Sequence, residues 1–152
     1  MLLLYTGLRR SECAGLTRDQ VDFEKGLITI PMTKNGKPHS LPITPLMEPI
    51  LLRRCMGLAA SQKLFNGVSV EHLAEMAMRA SAPKFMLHDL RKLHASIGKA
   101  HDIPDSVLRR ILNHTPAKMD TLNRHYALIN FDQVAAGLDC IQKSALSRMI
   151  SS

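Results

Sequence analysis

The sequence predicts an α+β fold that is mainly helical, with a small three-stranded antiparallel sheet followed by a helical bundle. Three observations carry this expectation. Short segments rich in β-branched residues, separated by turn signals, fill residues 21–43. From about residue 88 onward, apolar residues recur at helical spacing. Apolar residues make up 45% of the 152-residue chain, which is enough for a packed core and argues against wholesale disorder.

The elements follow in order. The chain opens inside an apolar run, Leu2-Leu3-Leu4, with no Ser, Thr, Asp or Asn before it to cap a helix. The run reads as the last turns of a longer helix ending near Gly7, so the chain reads as truncated at its N-terminus. A native start with a frayed first turn is the other reading. Residues 8–15 read as helix. Val21 to Phe23 and Leu27 to Pro31 read as strands, with Gly26 in the turn between them. Asn35-Gly36, inside Thr33-Lys34-Asn35-Gly36-Lys37, is the strongest short hairpin signal. His39 to Ile43 is then the returning strand, with Leu41 and Ile43 on one face. Thr44 is expected to cap the next helix, with Pro45 at its first position and Leu46, Ile50 and Leu51 facing the core. Residues 58–68 read as irregular. Ser69 is expected to cap a helix through about Arg79, and Ser81-Ala82-Pro83 breaks the chain. His88 to Ala100 follows, with Leu90, Leu93 and Ile97 as its core stripe. Asp105 to Leu112 buries Val107, Leu108, Ile111 and Leu112. Thr115-Pro116 opens a helix toward Tyr126. Asn130 precedes a last helix in which Val134, Leu138, Ile141 and Ala145 share a face.

Charge points to a class of partner. Twenty Lys and Arg face 13 Asp and Glu, a formal net charge of +7, and nucleic acid is the first candidate for an anionic partner. No apolar run approaches the roughly 18 residues of a membrane span, and the opening is too short for a signal peptide. Cys13, Cys55 and Cys140 are odd in number and lack CxxC spacing. That argues against a disulfide framework or zinc ribbon and fits a reducing cytoplasm. The histidines lack a tight ligand spacing such as HExxH, and no dense carboxylate set is present, so neither a metal nor another cofactor is expected.

Four segments carry chemistry: Thr6-Gly7-Leu8-Arg9-Arg10-Ser11-Glu12, Thr33-Lys34, His88-Asp89-Leu90-Arg91, and Leu112-Asn113-His114 followed by Arg124-His125-Tyr126. His88 and Arg91 lie three apart and share a helix face near a helix start. A guanidinium beside an imidazole there suits a phosphate. HxxR alone also describes a solvated helix face.

The four segments in this order resemble the tyrosine site-specific recombinases, the phage integrases and their relatives, over nearly the whole chain. The resemblance implies a catalytic domain of that fold, here without the family's separate DNA-binding domain. It implies cleavage and rejoining of double-stranded DNA through a covalent 3′-phosphotyrosyl intermediate. It matches Arg9 and Arg91 to the family's catalytic arginines, Lys34 to the hairpin lysine, His88 to the first residue of the HxLR box, His114 to the histidine of the tail motif and Tyr126 to the nucleophile. Glu12 matches an acidic position that supports the first arginine. In chemical terms, two arginines would hold the non-bridging oxygens. A lysine would protonate the departing 5′ oxygen and His88 would assist acid–base steps, while His114 would bind and position the phosphate.

The chain departs from the family pattern in two further ways. Asn113 stands where the family usually has glycine, and asparagine is the commonest substitute where φ must be positive. Twelve positions separate His114 from Tyr126, a longer spacing than usual.

Around this set, Arg10, Lys37 and Arg124 are candidate DNA contacts, with plain surface roles as the alternative. Arg109-Arg110 reads as a solvated helix face, His94 as a core histidine, and His39, His72 and His101 as scattered surface residues. Cys13 reads as core. The last helix either folds back on its own domain or docks on a neighbouring subunit in a tetramer on DNA, as the resemblance implies. The expected location is the cytoplasm, associated with the nucleoid. A non-catalytic DNA-binding fragment is the rival from another class, and a topoisomerase or telomere-resolving relative is a rival with the same chemistry.

Overall fold

The structure is a computed structural model of the chain, described here over residues 1–67, 72–81, 84–114 and 130–151. The expectations for Ser69, Ala82-Pro83, the helix opened by Thr115-Pro116, Arg124 and Tyr126 lie outside those residues.

Two short helices come first, α1 (Leu2–Thr6) and α2 (Arg10–Ala14). Gly7 ends α1 in the left-handed conformation, φ 64°, and its N–H closes onto the Leu3 carbonyl. The helix thus stops where the glycine predicts. The strands β1 (Val21–Asp22), β2 (Leu27–Ile30) and β3 (His39–Pro42) form an antiparallel sheet in the order β1-β2-β3. Ile28 pairs with Val21 on one side and Leu41 on the other, and all three side chains are buried. The β2–β3 connection carries Asn35-Gly36, with Gly36 at φ 70°.

The next helix, α3 (Glu48–Cys55), starts later than expected. Thr44 and Pro45 precede it in a turn, and Pro49, not Pro45, occupies the first helical turn. The reason is tertiary: the Thr44 hydroxyl donates to Gln142 Oε1 at 2.5 Å, across 98 residues, rather than capping its own helix. α4 (Leu73–Arg79), α5 (Leu87–Ala100), α6 (Asp105–Ile111) and α7 (Phe131–Ile150) complete the described elements.

α7 runs through the interior. Asn130 caps it, with its side chain accepting from the Gln133 N–H at 2.9 Å and the Gln133 side chain reaching back to the Asn130 N–H. Val134, Leu138, Ile141 and Ala145 are all buried, as their spacing predicts. They pack against α1, α5, α6 and β3, so this apolar face is occupied within its own domain. Gly98 of α5 and Gly137 of α7 permit this closeness. A Cβ on Gly98 would stand 2.4 Å from Leu108, and one on Gly137 would stand 3.2 Å from Val107.

Two burial expectations are corrected. Leu93 is 40% exposed; Ile97 and His94 are interior as expected, and Arg91 and Gly98 complete the interior face of α5. His39 is not a surface residue: it is 1% exposed, at the start of β3. His94 and Cys13 are buried as expected, while His72 and His101 are exposed. Among the described residues, no helix is long and apolar enough to cross a membrane.

Candidate active site

The site grows from α5. Polar residues on its interior face need partners, because a buried charge without them costs several kcal/mol, roughly. Arg91 finds them in two backbone carbonyls. One guanidinium nitrogen donates to the Gly7 carbonyl and the other to the Leu112 carbonyl, the latter at 2.5 Å. The side chain therefore ties the α1–α2 turn to the end of α6. Gly7 lets the α1–α2 turn approach: a Cβ there would meet Leu112 at 2.9 Å and the His94 ring at 3.0 Å. His94 donates from Nδ1 to the Leu4 carbonyl at 2.7 Å and holds α1 against α5. Burial, with the Arg91 charge adding to it against the pull of the Leu4 hydrogen bond, brings His94 down to about 4.

Arg9 sits at the N-cap of α2. Its guanidinium meets the Glu12 carboxylate at 3.1 Å, and the other Glu12 oxygen accepts the Arg9 backbone N–H at 3.0 Å. Glu12 is buried, so it fixes the arginine's backbone and head group together. This is the supporting role that the resemblance implies for an acidic residue at that position. Arg9 also lies within electrostatic reach of Arg91. Burial chiefly, and then the Arg9 charge, bring the Arg91 guanidinium down to about 10, with Glu12 opposing. The Arg91 guanidinium thus feels both the Arg9 charge and the opposing charge of Glu12, which is paired with Arg9.

His114 follows α6. Burial lowers its pKa first, followed by the charges of Arg91, Arg9 and Arg109 in that order, against Asp105. The imidazole therefore shares one electrostatic neighbourhood with both arginines. Asn113 before it has φ 48°, the left-handed conformation that a glycine at this position would supply. The departure from the family pattern at residue 113 thus preserves the backbone.

The structure brings Arg9, Arg91 and His114 together, from three separate stretches of chain. Lys34 lies exposed on the β2–β3 hairpin. That hairpin reaches the His114 turn through a neighbouring residue, since Asn35 Nδ2 donates to the Asn113 carbonyl at 2.8 Å. His88 is the second residue of α5, exposed and one turn before Arg91. It stands beside Asp89 at the start of the helix. Arg10 is exposed and lines a separate cavity of about 310 Å³, together with Leu3, Cys13, Arg54, Phe65 and Leu90. Lys37 is exposed on the hairpin.

Sequence reasoning missed His39 and Arg110. Arg110 is half-buried. Its guanidinium lies over the Phe131 ring at 5.7 Å and donates to His39 Nδ1 at 3.0 Å, so it does not belong to a solvated face. His39 Nε2 in turn donates to the Ile111 carbonyl at 3.0 Å. Arginine can only donate and a carbonyl can only accept, so the ring is neutral with its proton on Nε2. Burial, then Arg110, hold His39 down at about 4 against the Ile111 hydrogen bond and the Glu12 charge. No signal within one strand foretells this, because both partners lie about 70 residues away.

Two arginines and a histidine share one electrostatic neighbourhood on a helical domain with a small sheet, a set of donors whose chemistry suits an anionic group. A sequence model of the Phage integrase family matches residues 1–132, and the chain belongs to that family. It is also similar to tyrosine recombinase XerA of Saccharolobus solfataricus (strain ATCC 35092 / DSM 1617 / JCM 11322 / P2). The two are 27% identical over 130 residues, which cover 84% of this chain and 44% of that relative. The chain therefore spans less than half the length of the curated relative it matches.

Proposed function

We propose that this chain carries the catalytic part of a tyrosine recombinase, which cleaves and rejoins double-stranded DNA through a 3′-phosphotyrosyl link at Tyr126. The observation that supports this most is the convergence of Arg9, Arg91 and His114. Like charges repel, and an arrangement that holds two guanidiniums together suits a ligand that brings negative charge.

A phosphodiester is such a ligand. Arg9 and Arg91 hold its non-bridging oxygens and neutralise the charge that grows in the pentavalent transition state. Arg91 is anchored on two carbonyls, so its donors need little reorganisation. The reaction as proposed takes its charge neutralisation from guanidinium groups. The Tyr126 oxygen attacks phosphorus as His88 takes the phenol proton, the bond to the 5′ oxygen breaks, and Lys34 gives that oxygen its proton. His114, whose pKa is lowered by desolvation and then by its cationic neighbours, donates a hydrogen bond to the phosphate. The covalent link conserves the phosphodiester bond energy, and attack by a 5′ hydroxyl reverses the step. Arg10, Lys37 and Arg124 contact the DNA backbone. Assembly of several copies on DNA would use what α7 leaves outside its own core, Met149 and Ile150 included.

The test is a randomised pool of nicked duplexes that trap cleaved ends. The 152-residue chain should form a denaturation-resistant protein–DNA adduct, and Tyr126→Phe should abolish it. An adduct that persists in the Phe variant would remove Tyr126 from the mechanism. Salt-sensitive DNA binding with no adduct anywhere in the pool would instead assign a non-catalytic DNA-binding fragment.

A further inference from the structure

We propose that Asn35 and His39 are positioning residues that clamp the Lys34 hairpin onto the turn bearing His114. The inference rests on the recombinase reading for what Lys34 does, but its geometry stands alone.

The hairpin is held at two points. At its tip, Asn35 Nδ2 donates to the Asn113 carbonyl at 2.8 Å. At its returning end, His39 donates to the Ile111 carbonyl at 3.0 Å and accepts from Arg110 at 3.0 Å. All three partners lie at the end of α6, within four residues of His114. Lys34 immediately precedes the Asn35 anchor in sequence. The loop itself is braced from within, since the Thr33 hydroxyl donates to the Lys37 carbonyl at 2.8 Å and accepts the Asn35 N–H at 3.3 Å. Movement of the tip is thereby coupled to the His114 backbone.

This assigns work to residues outside the phosphate site. An exposed lysine on a two-stranded projection samples many positions, and a proton donor must lie within hydrogen-bond reach of the leaving oxygen. A 1 Å misplacement costs about 100-fold. Tying the tip to the His114 turn limits that sampling and sets the lysine and the histidine in one frame. His39 adds the second tether at low entropic cost, because its ring is buried and fixed.

The experiment has two arms. In the first, imidazole titrations are followed by NMR on the DNA-free chain. Asn35→Ala should raise the pKa of His114, because releasing Asn113 frees this solvent-exposed residue from the partial desolvation, and from the Arg91 and Arg9 charges, that lower it. It should also loosen the amides of residues 34–37, while the amides of α7 stay as they are in the parent. Asn35→Gln should recover part of the effect. His39→Leu should behave as Asn35→Ala, whereas His39→Gln, which keeps one donor and one acceptor, should stay near the parent. If His114 and the hairpin amides are unchanged in Asn35→Ala, the clamp does not exist.

In the second arm, adduct formation is compared on duplexes with oxygen or sulfur at the bridging 5′ position. A thiolate leaves without being protonated. Asn35→Ala should be about 10- to 100-fold slow on oxygen and near the parent on sulfur, as Lys34→Ala should be. Asn35→Ala equally slow on both would make its role structural and overturn the proposal. Failure of Lys34→Ala to recover on sulfur would remove Lys34 as the acid and leave the first arm to decide the clamp.

Discussion

A guanidinium that is 8% exposed, with a second guanidinium in range, concentrates the energetic cost of this site at Arg91. Two backbone carbonyls and the nearby Glu12 charge offset it. Gly7 supplies one of those carbonyls from a left-handed backbone packed against Leu112 and His94. Gly7→Ala combines strain at φ 64° with crowding on both neighbours, and should cost roughly 2–4 kcal/mol in chemical denaturation. Phosphate affinity should fall with it. The buried histidines act on stability through pH. His39 and His94 titrate near 4 in the folded chain, against about 6.5 when unfolded. The unfolded chain therefore binds more protons between those values, and stability falls as pH drops from 6.5 through 4. Each ring should contribute on the order of 1–3 kcal/mol of that loss. His39→Gln should flatten the lower end of a stability–pH curve measured by urea unfolding.

At the scale of elements, α7 joins the parts of the fold that precede it. Gln142 is fully buried and serves two distant segments, accepting from the Thr44 hydroxyl at 2.5 Å and donating to the Tyr5 carbonyl at 3.1 Å. Gln142→Leu keeps the volume and strands both partners, so it should destabilise by about 1–3 kcal/mol in thermal or urea unfolding. The same contacts explain why Thr44 is not a helix cap. The helix starts of α5 and α7 were legible from local sequence, because caps and apolar spacing are short-range properties. The start of α3 was not, because its would-be cap bonds to a residue 98 positions away.

At the scale of the molecule, a net charge of +7 and a cluster of guanidiniums predict DNA binding that weakens as salt rises. Binding to a random duplex, measured by fluorescence anisotropy across a salt series, should give a straight line in log K against log salt. Arg9→Ala should flatten its slope by roughly one unit, the loss of about one phosphate contact. An unchanged slope would place Arg9 away from the backbone of the bound DNA. The fold supports this assignment of contacts by gathering residues 9, 91 and 114 at one place, although no two are close in sequence.

The sequence by itself determined the classes of side chain and the helical and strand periods, down to the face of α7 and the need for a positive φ at Asn113. It also named the Arg, Lys and His residues in family order. Apart from His94, which its sequence position already marked as a core histidine, only the tertiary structure decided which polar groups are interior. Leu93 has core spacing yet faces out, while Arg91 of the same helix faces in, because burial depends on what packs against a face. His39 and Arg110 look solvated when read one strand or one helix at a time. They are joined because desolvation forces each to find its hydrogen-bonding partner across some 70 residues of intervening chain.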